Sequence, residues 1–160
     1  MLQKFKTEIK WAFIFIATLL IWSVLERLLG FHDKYIGNHP TMSSFFMIPA
    51  IIVFALALRD KKKTDFNGTA TYKELLISGL IISFIIAVFS PLTQLLISKV
   101  ISPDYFENAI NYSVESGNAT KEEAVAYFNY TSYAIQGPIF SIAMGLVTSA
   151  ILAIFIRSKQ

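Results

Sequence analysis

The chain has 160 residues, of which 54% are hydrophobic and 16% are charged, and its formal net charge is +3. Soluble domains carry about 25% charged residues, so this composition indicates a single membrane-embedded domain over residues 1–160. A mean hydropathy of +0.54 points the same way. The sequence has no cysteine, which excludes disulfides, thiolate metal sites and thiol nucleophiles.

Four apolar stretches follow one another along the chain. A helix that spans a bilayer needs about 20 predominantly apolar residues. We expect four such spans, over residues 11–29, 42–58, 75–101 and 137–156. The first follows several lysines, as in a signal peptide, but no A-x-A-like cleavage site comes after it. The sequence therefore predicts an all-α integral membrane protein with four transmembrane helices, the first of them uncleaved.

Glu26 and Arg27 are ionisable residues inside the first apolar stretch. Such residues are costly within a span and often have a function. Both lie near the far end of the span, where a long side chain can reach the interface. We favour that interpretation.

His32, Asp33 and His39 crowd the loop after the first span. Two imidazoles and a carboxylate can bind zinc. However, the loop lacks the H-x-x-x-H or H-E-x-x-H spacing that places such ligands on one helix face. The sequence therefore does not favour a metal site here, and we expect no cofactor and no catalytic residue.

Two prolines fall inside the predicted spans, Pro49 in the second and Pro91 in the third. Each can kink its helix and free a carbonyl group, as happens in the ion sites of transporters. Gln94, one turn after Pro91, is strongly polar and lies deep in the third span. A helix–helix hydrogen bond is its simplest role, and a transport site near these three residues is the alternative.

The basic residues Arg59, Lys61, Lys62 and Lys63 follow the second span. If both termini and residues 59–74 share one side of the membrane, that side holds ten of the fourteen basic residues: Lys4, Lys6, Lys10, Arg59, Lys61, Lys62, Lys63, Lys73, Arg157 and Lys159. Lys and Arg are costly to translocate, so this side is expected to be cytoplasmic. We interpret the basic group as a topology anchor that faces water or lipid headgroups rather than nucleic acid.

Small residues recur every four positions in the last two spans. They are Gly79, Ser83 and Ala87 in the third span, and Ser141, Gly145 and Ser149 in the fourth. Small residues at this spacing let two helix backbones approach closely. Either the two stripes face each other within one chain, or one of them forms the seam of an oligomer.

The segment between the last two spans, residues 102–136, predicts a two-helix amphipathic extracytoplasmic cap. We expect helices over about 104–116 and 121–136. Four local signals set these bounds: Ser102 before Pro103 as an N-cap, Gly117 as a stop, Thr120 with Glu123 as a capping box, and Gly137-Pro138 as a break. The helices either rest on the bundle at the membrane surface or form a lid over a ligand cavity.

The stretch "RDKKKTDFNGTATYKELLISG" resembles the charged loop and helix start of the domain-of-unknown-function 4199 family. The matching positions are Arg59-Asp60-Lys61, Gly68, Thr71-Tyr72 and Gly79. The later stretch "SPDYFENAINYSVESGNATKEEAVAYF" is similar to the acidic outer helices of that family. The resemblance covers most of the chain. It implies a four-span protein of the bacterial inner membrane, typical of Bacteroidota, with no established activity and no catalytic residues.

The expected function is that of a non-enzymatic multi-pass inner-membrane protein, a structural or assembly module or an accessory subunit. Its expected partners are the lipid bilayer and either further copies of itself or another membrane subunit. The alternative is a small transporter or channel with a site near Pro49, Pro91 and Gln94. A transporter should have a polar cavity at mid-membrane, whereas a structural module should have a dry, filled bundle.

Overall fold

The computed structural model describes residues 5–158, and within them it contains seven α-helices. These are α1 (Lys6–Leu28), α2 (His39–Ser44), α3 (Met47–Thr64), α4 (Tyr72–Leu96), α5 (Tyr105–Glu115), α6 (Lys121–Tyr127) and α7 (Tyr130–Ile156). A 3₁₀ turn over Ile36–Asn38 precedes α2, and a π turn over Ile97–Ile101 extends α4.

Four helical segments are long and apolar enough to cross a membrane: α1, the α2–α3 segment, α4 with its π turn, and α7. The prediction of an all-α protein with four span-length helices is therefore confirmed. A core of Ala12, Ile16, Phe54, Ala57, Ile82 and Ile86 lies between α1, α3 and α4. We call the end of the bundle where α3 stops and α4 starts the basic end, and the opposite end, beside α5 and α6, the capped end.

The second predicted span differs from the structure at both of its ends. It begins as the short helix α2, and a turn at Phe45 and Phe46 separates α2 from α3. Pro49 is the third residue of α3, where a backbone N–H would have no intrahelical acceptor, so it does not kink the helix. At the other end α3 continues to Thr64, because Arg and Lys favour helices.

Helices α4 and α7 approach closely along their small residues. A Cβ atom added to Gly79 would overlap the side chain of Ser149, and one added to Gly145 would overlap that of Ser83. The two stripes therefore face each other within one chain. Ser141 lies one turn earlier in α7 than Gly145, and its hydroxyl donates to the carbonyl of Gly137 at 2.8 Å.

The prediction of a helix break at Gly137-Pro138 is wrong, because α7 runs through both residues. The break comes earlier, at Asn129. Its Oδ1 accepts from the backbone N–H of Ser132 at 2.9 Å, and its Nδ2 donates to the carbonyl of Ala126 at 2.8 Å. One amide side chain thus ends α6 and starts α7, which is why α6 is shorter than the predicted helix.

The start of α5 also differs from the prediction. Ser102 does not cap α5, which begins after Asp104; instead its N–H donates to the carbonyl of Ile97 and closes the π turn. The other two cap signals are confirmed. Gly117 follows α5 with φ of +71°, and the Thr120–Glu123 capping box opens α6.

Candidate functional site

A buried polar cluster at the capped end is the candidate site. It consists of Glu26 near the end of α1, His32 in the turn after α1, and His39 at the start of α2. One carboxylate oxygen and one ring nitrogen from each histidine all lie within 4.8 Å of one another. Glu26 is only 3% exposed and His32 only 6%, so these groups lack the solvation that water would provide.

Local chain geometry brings the three side chains together. Gly30, with φ of +81°, turns the chain back after α1, a conformation that glycine adopts without strain. The carbonyl of His32 then accepts from the Asn108 side chain of α5 at 3.0 Å. The cluster therefore lies between the end of α1 and the underside of α5.

Each oxygen of the Glu26 carboxylate has a distinct set of neighbours. Oε1 accepts from Trp22 Nε1 at 2.8 Å and from Ser43 Oγ at 2.6 Å. Oε2 faces both histidines, with His32 Nε2 at 3.4 Å and His39 Nε2 at 3.6 Å. The two imidazoles thus converge on a single carboxylate oxygen.

Hydroxyl groups hold the other edges of the two rings. His32 Nδ1 lies 2.5 Å from Ser102 Oγ, and His39 Nδ1 lies 3.2 Å from Tyr105 Oη. Burial raises the pKa of Tyr105, so its phenol keeps its proton at neutral pH. These contacts link the cluster to the π turn and to α5.

The prediction that Glu26 reaches the interface is wrong, because its side chain is buried and hydrogen-bonded inside the bundle. Arg27, beside it, is exposed. Asp33, the carboxylate considered with the two histidines, is also exposed and accepts from the backbone of Lys34. Helix periodicity gave a signal that Glu26 is buried, because Glu26 lies on the same face of α1 as Ser23 and Ile16. Both of these residues are buried.

The predicted topology anchor divides into two kinds of residue. Arg59 and Lys63 are exposed. Lys61 is 6% exposed and pairs with the buried carboxylate of Glu8, so a water- or headgroup-facing role is wrong for it. Lys62 donates to the carbonyl of Ile156 at 2.8 Å and so binds α3 to the end of α7.

A cavity of about 380 Å³ opens between α3 and α7, and we call it the lateral groove. Its walls include Phe15, Phe46, Phe54, Ile86, Phe140 and Met144. Pro49, Pro91 and Gln94 are not among its lining residues. The carbonyl of Pro91 accepts from Tyr130 Oη at 3.3 Å, and within residues 5–158 the Gln94 side chain forms no hydrogen bond.

By length and composition, four apolar helices of this kind suggest a multi-pass membrane protein. A family model matches residues 10–158, nearly the whole described chain, so the protein belongs to the family described as protein of unknown function (DUF4199). The resemblance noted from the sequence is thereby confirmed. No curated protein and no solved structure matches the chain.

Proposed function

We propose that the protein is a non-enzymatic assembly module or accessory subunit of the bacterial inner membrane, with both termini in the cytoplasm. In this arrangement the basic end faces the cytoplasm, and α5 and α6 form an extracytoplasmic cap. The distribution of Lys and Arg supports this orientation, because cytoplasmic loops retain such residues. The function lies in binding another transmembrane helix.

The lateral groove is the observation that carries this proposal. Its walls are mainly apolar and aromatic, and it is partly open along the side of the bundle. Phe140, on its rim, is 67% exposed, and Met47 is 56% exposed. Large apolar side chains from an apposed helix would fill such a groove and gain dispersion contacts that lipid tails supply less well.

A second copy of the chain is the simplest occupant, because α3 and α7 themselves expose large apolar side chains. Ile48 is 55% exposed on α3, and Phe155 is 79% exposed on α7. The transport alternative has less support, since its three residues do not line the groove. A solute path would need polar groups at that depth.

The test is the mass of the purified protein in detergent by light scattering, with co-purifying proteins identified by mass spectrometry. We expect a defined dimer or higher oligomer. Met144→Trp places a larger side chain of α7 in the groove and should therefore dissociate the oligomer. Val88→Trp is the control, because Val88 is 58% exposed and lies outside the groove.

A monomer without a constant partner would contradict the assembly function. Equal oligomerisation of both tryptophan variants would place the contact on another face of the bundle and so reject the groove as the surface. A constant partner protein, lost from Met144→Trp alone, would keep the function and replace the second copy with another subunit.

A further inference from the structure

We propose that Glu26, His32 and His39 bind a divalent transition-metal ion, and that zinc is the ion that best fits them. The ligand atoms are Oε2 of the glutamate and Nε2 of each histidine. The inference goes beyond the assembly function, and its three ligand residues do not line the lateral groove.

The distances between the ligand atoms favour a shared ion. Zinc lies about 2.0–2.1 Å from its ligands, so two ligands of a tetrahedral ion are about 3.3–3.4 Å apart. Glu26 Oε2 is 3.4 Å from His32 Nε2 and 3.6 Å from His39 Nε2. Ordinary N–H···O hydrogen bonds are shorter, at about 2.7–3.2 Å. Both separations are therefore close to the spacing of two ligands on one ion, and the ligand nitrogens of His32 and His39 lie within 4.8 Å of each other.

The groups behind the ligands already have the arrangement that a zinc site needs. A histidine that binds zinc donates its other ring N–H to a neighbouring group, which fixes the tautomer and the ring plane. Here His32 Nδ1 contacts Ser102 Oγ, and His39 Nδ1 contacts Tyr105 Oη. When Nδ1 of each ring donates its proton to its hydroxyl neighbour, both Nε2 atoms carry the lone pairs that would bind an ion beside Glu26 Oε2.

The carboxylate is held in a matching way. Trp22 and Ser43 both donate to Oε1 of Glu26, which leaves Oε2 for the ion. Binding would replace the 3.0 Å contact between His39 Nε2 and Ser43 Oγ. Three protein ligands leave a fourth tetrahedral position for water.

An ion at this point would join three separate segments of the capped end. Glu26 comes from α1 and His39 from α2, and Tyr105 brings α5 into the surrounding shell. Because metal ligands from distant segments are not arranged in the unfolded chain, binding stabilises the folded state. Binding at this site is therefore expected to stabilise the capped end and to hold α5 against the bundle.

The experiment is a zinc titration of the full-length protein by calorimetry, in detergent, after EDTA treatment and removal of any polyhistidine tag. The variants are Glu26→Gln and His39→Gln. Asp33→Asn is the matched control, because Asp33 is the exposed carboxylate beside His32. We expect one zinc per chain in the wild type and the control. Each ligand variant should bind at least about 100-fold more weakly, since loss of a supporting group alone costs about 10–100-fold.

Further measurements separate loss of the site from loss of the fold. Size-exclusion profiles and circular dichroism establish that each variant is folded. Ser102→Ala leaves all three ligands in place and should weaken zinc binding by about 10-fold through His32. Cobalt should give the intense visible absorption of a four-coordinate ion in the wild type but not in Glu26→Gln. Folded wild-type protein without stoichiometric zinc, or equal affinity in Glu26→Gln and Asp33→Asn, would overturn the proposal.

Discussion

The ammonium group of Lys61 lies between two carboxylates at the basic end, 2.7 Å from Glu8 Oε1 and 2.5 Å from Asp65 Oδ2. Burial by itself would raise the pKa of Asp65, but the hydrogen bonds from Lys61, Thr64 and Thr7 and the charge of Lys61 together outweigh it and hold that pKa below its usual value. Glu8 is 1% exposed, so the ammonium group of Lys61 replaces water as a neighbour of its carboxylate. Removing one member of a buried pair is expensive, because the other charge stays desolvated.

We therefore expect Lys61→Met to lower the free energy of unfolding by about 3 kcal/mol, the lower end of the range for a broken buried pair. The lower end applies because Asp65 is 32% exposed and partly screened by water. Thermal unfolding in detergent measures the effect. Lys63→Met is the control at an exposed position and should change stability by less than about 0.5 kcal/mol. A similar result for both variants would show that the Glu8 pair contributes little.

Lys61 and Glu26 both show why the burial of a charged side chain is difficult to predict from the sequence. Each is charged and near the end of an apolar stretch, a pattern typical of side chains that reach the interface. Each is instead buried by partners that are distant in sequence, Glu8 for Lys61 and His39 for Glu26. The histidines themselves stand out in the sequence, but their carboxylate partner depends on how α1 meets α2.

At the scale of elements, the contact between α4 and α7 depends on two glycine–serine pairs. Gly79 faces Ser149, and Gly145 faces Ser83. Ser83 Oγ donates to the carbonyl of Gly79 at 2.8 Å, so its hydroxyl is satisfied within its own helix. The seam is therefore close-packed, and it has no space for an added side chain.

Gly145→Leu is expected to destabilise the bundle by at least about 1–3 kcal/mol, the usual cost of overpacking. Val147→Leu adds bulk to the same helix at a residue that is 52% exposed, and it should be nearly neutral. Thermal unfolding of both variants tests this. The exchange of Ser83→Gly with Gly145→Ser should recover much of the stability lost in Gly145→Ser alone. Unchanged stability of Gly145→Leu would show that α4 and α7 are not closely packed at this position.

The long elements could be predicted because each has a run of apolar residues of bilayer length. The capping box at Thr120 and the stop at Gly117 could be predicted because they depend on neighbouring residues only. The boundary between α6 and α7 could not. Asn129 caps both helices with one side chain, whereas the proline at 138, a strong breaker in general, is accommodated within α7.

For the whole molecule, we expect the asymmetry between the ends to set its orientation in a membrane. Lys10 pairs with Asp60 at 2.7 Å, and Ser158 N donates to the Ala70 carbonyl at 2.8 Å. The start of α1, the end of α3, the start of α4 and the end of α7 therefore meet at the basic end. Lys4 and Lys159, also assigned to this side from the sequence, lie outside the described residues.

Orientation should respond to the exposed basic residues rather than to Lys61. We expect Arg59→Gln and Lys63→Gln, combined with Ser116→Lys and Asn118→Lys in the turn after α5, to produce a mixture of insertion states. Protease accessibility of tagged termini in spheroplasts measures this. All four positions are exposed, so the changes leave the core intact. The control is the protein with Thr64→Lys and Thr69→Lys alone, which add two lysines at the basic end, and it should insert uniformly. Uniform insertion of both variants would show that other features set the topology.

The number of residues in the π turn over Ile97–Ile101 determines the direction in which the next side chain, that of Ser102, points. An α-helix advances about 100° per residue, and a π turn includes one residue more than an α turn. That additional residue sets the direction of Ser102, whose hydroxyl contacts His32. A chain shorter by one residue in this segment would keep α4 and α5 but rotate the serine away from the ring. An insertion or deletion in this turn should therefore remove the contact between Ser102 and His32, as a substitution of Ser102 would.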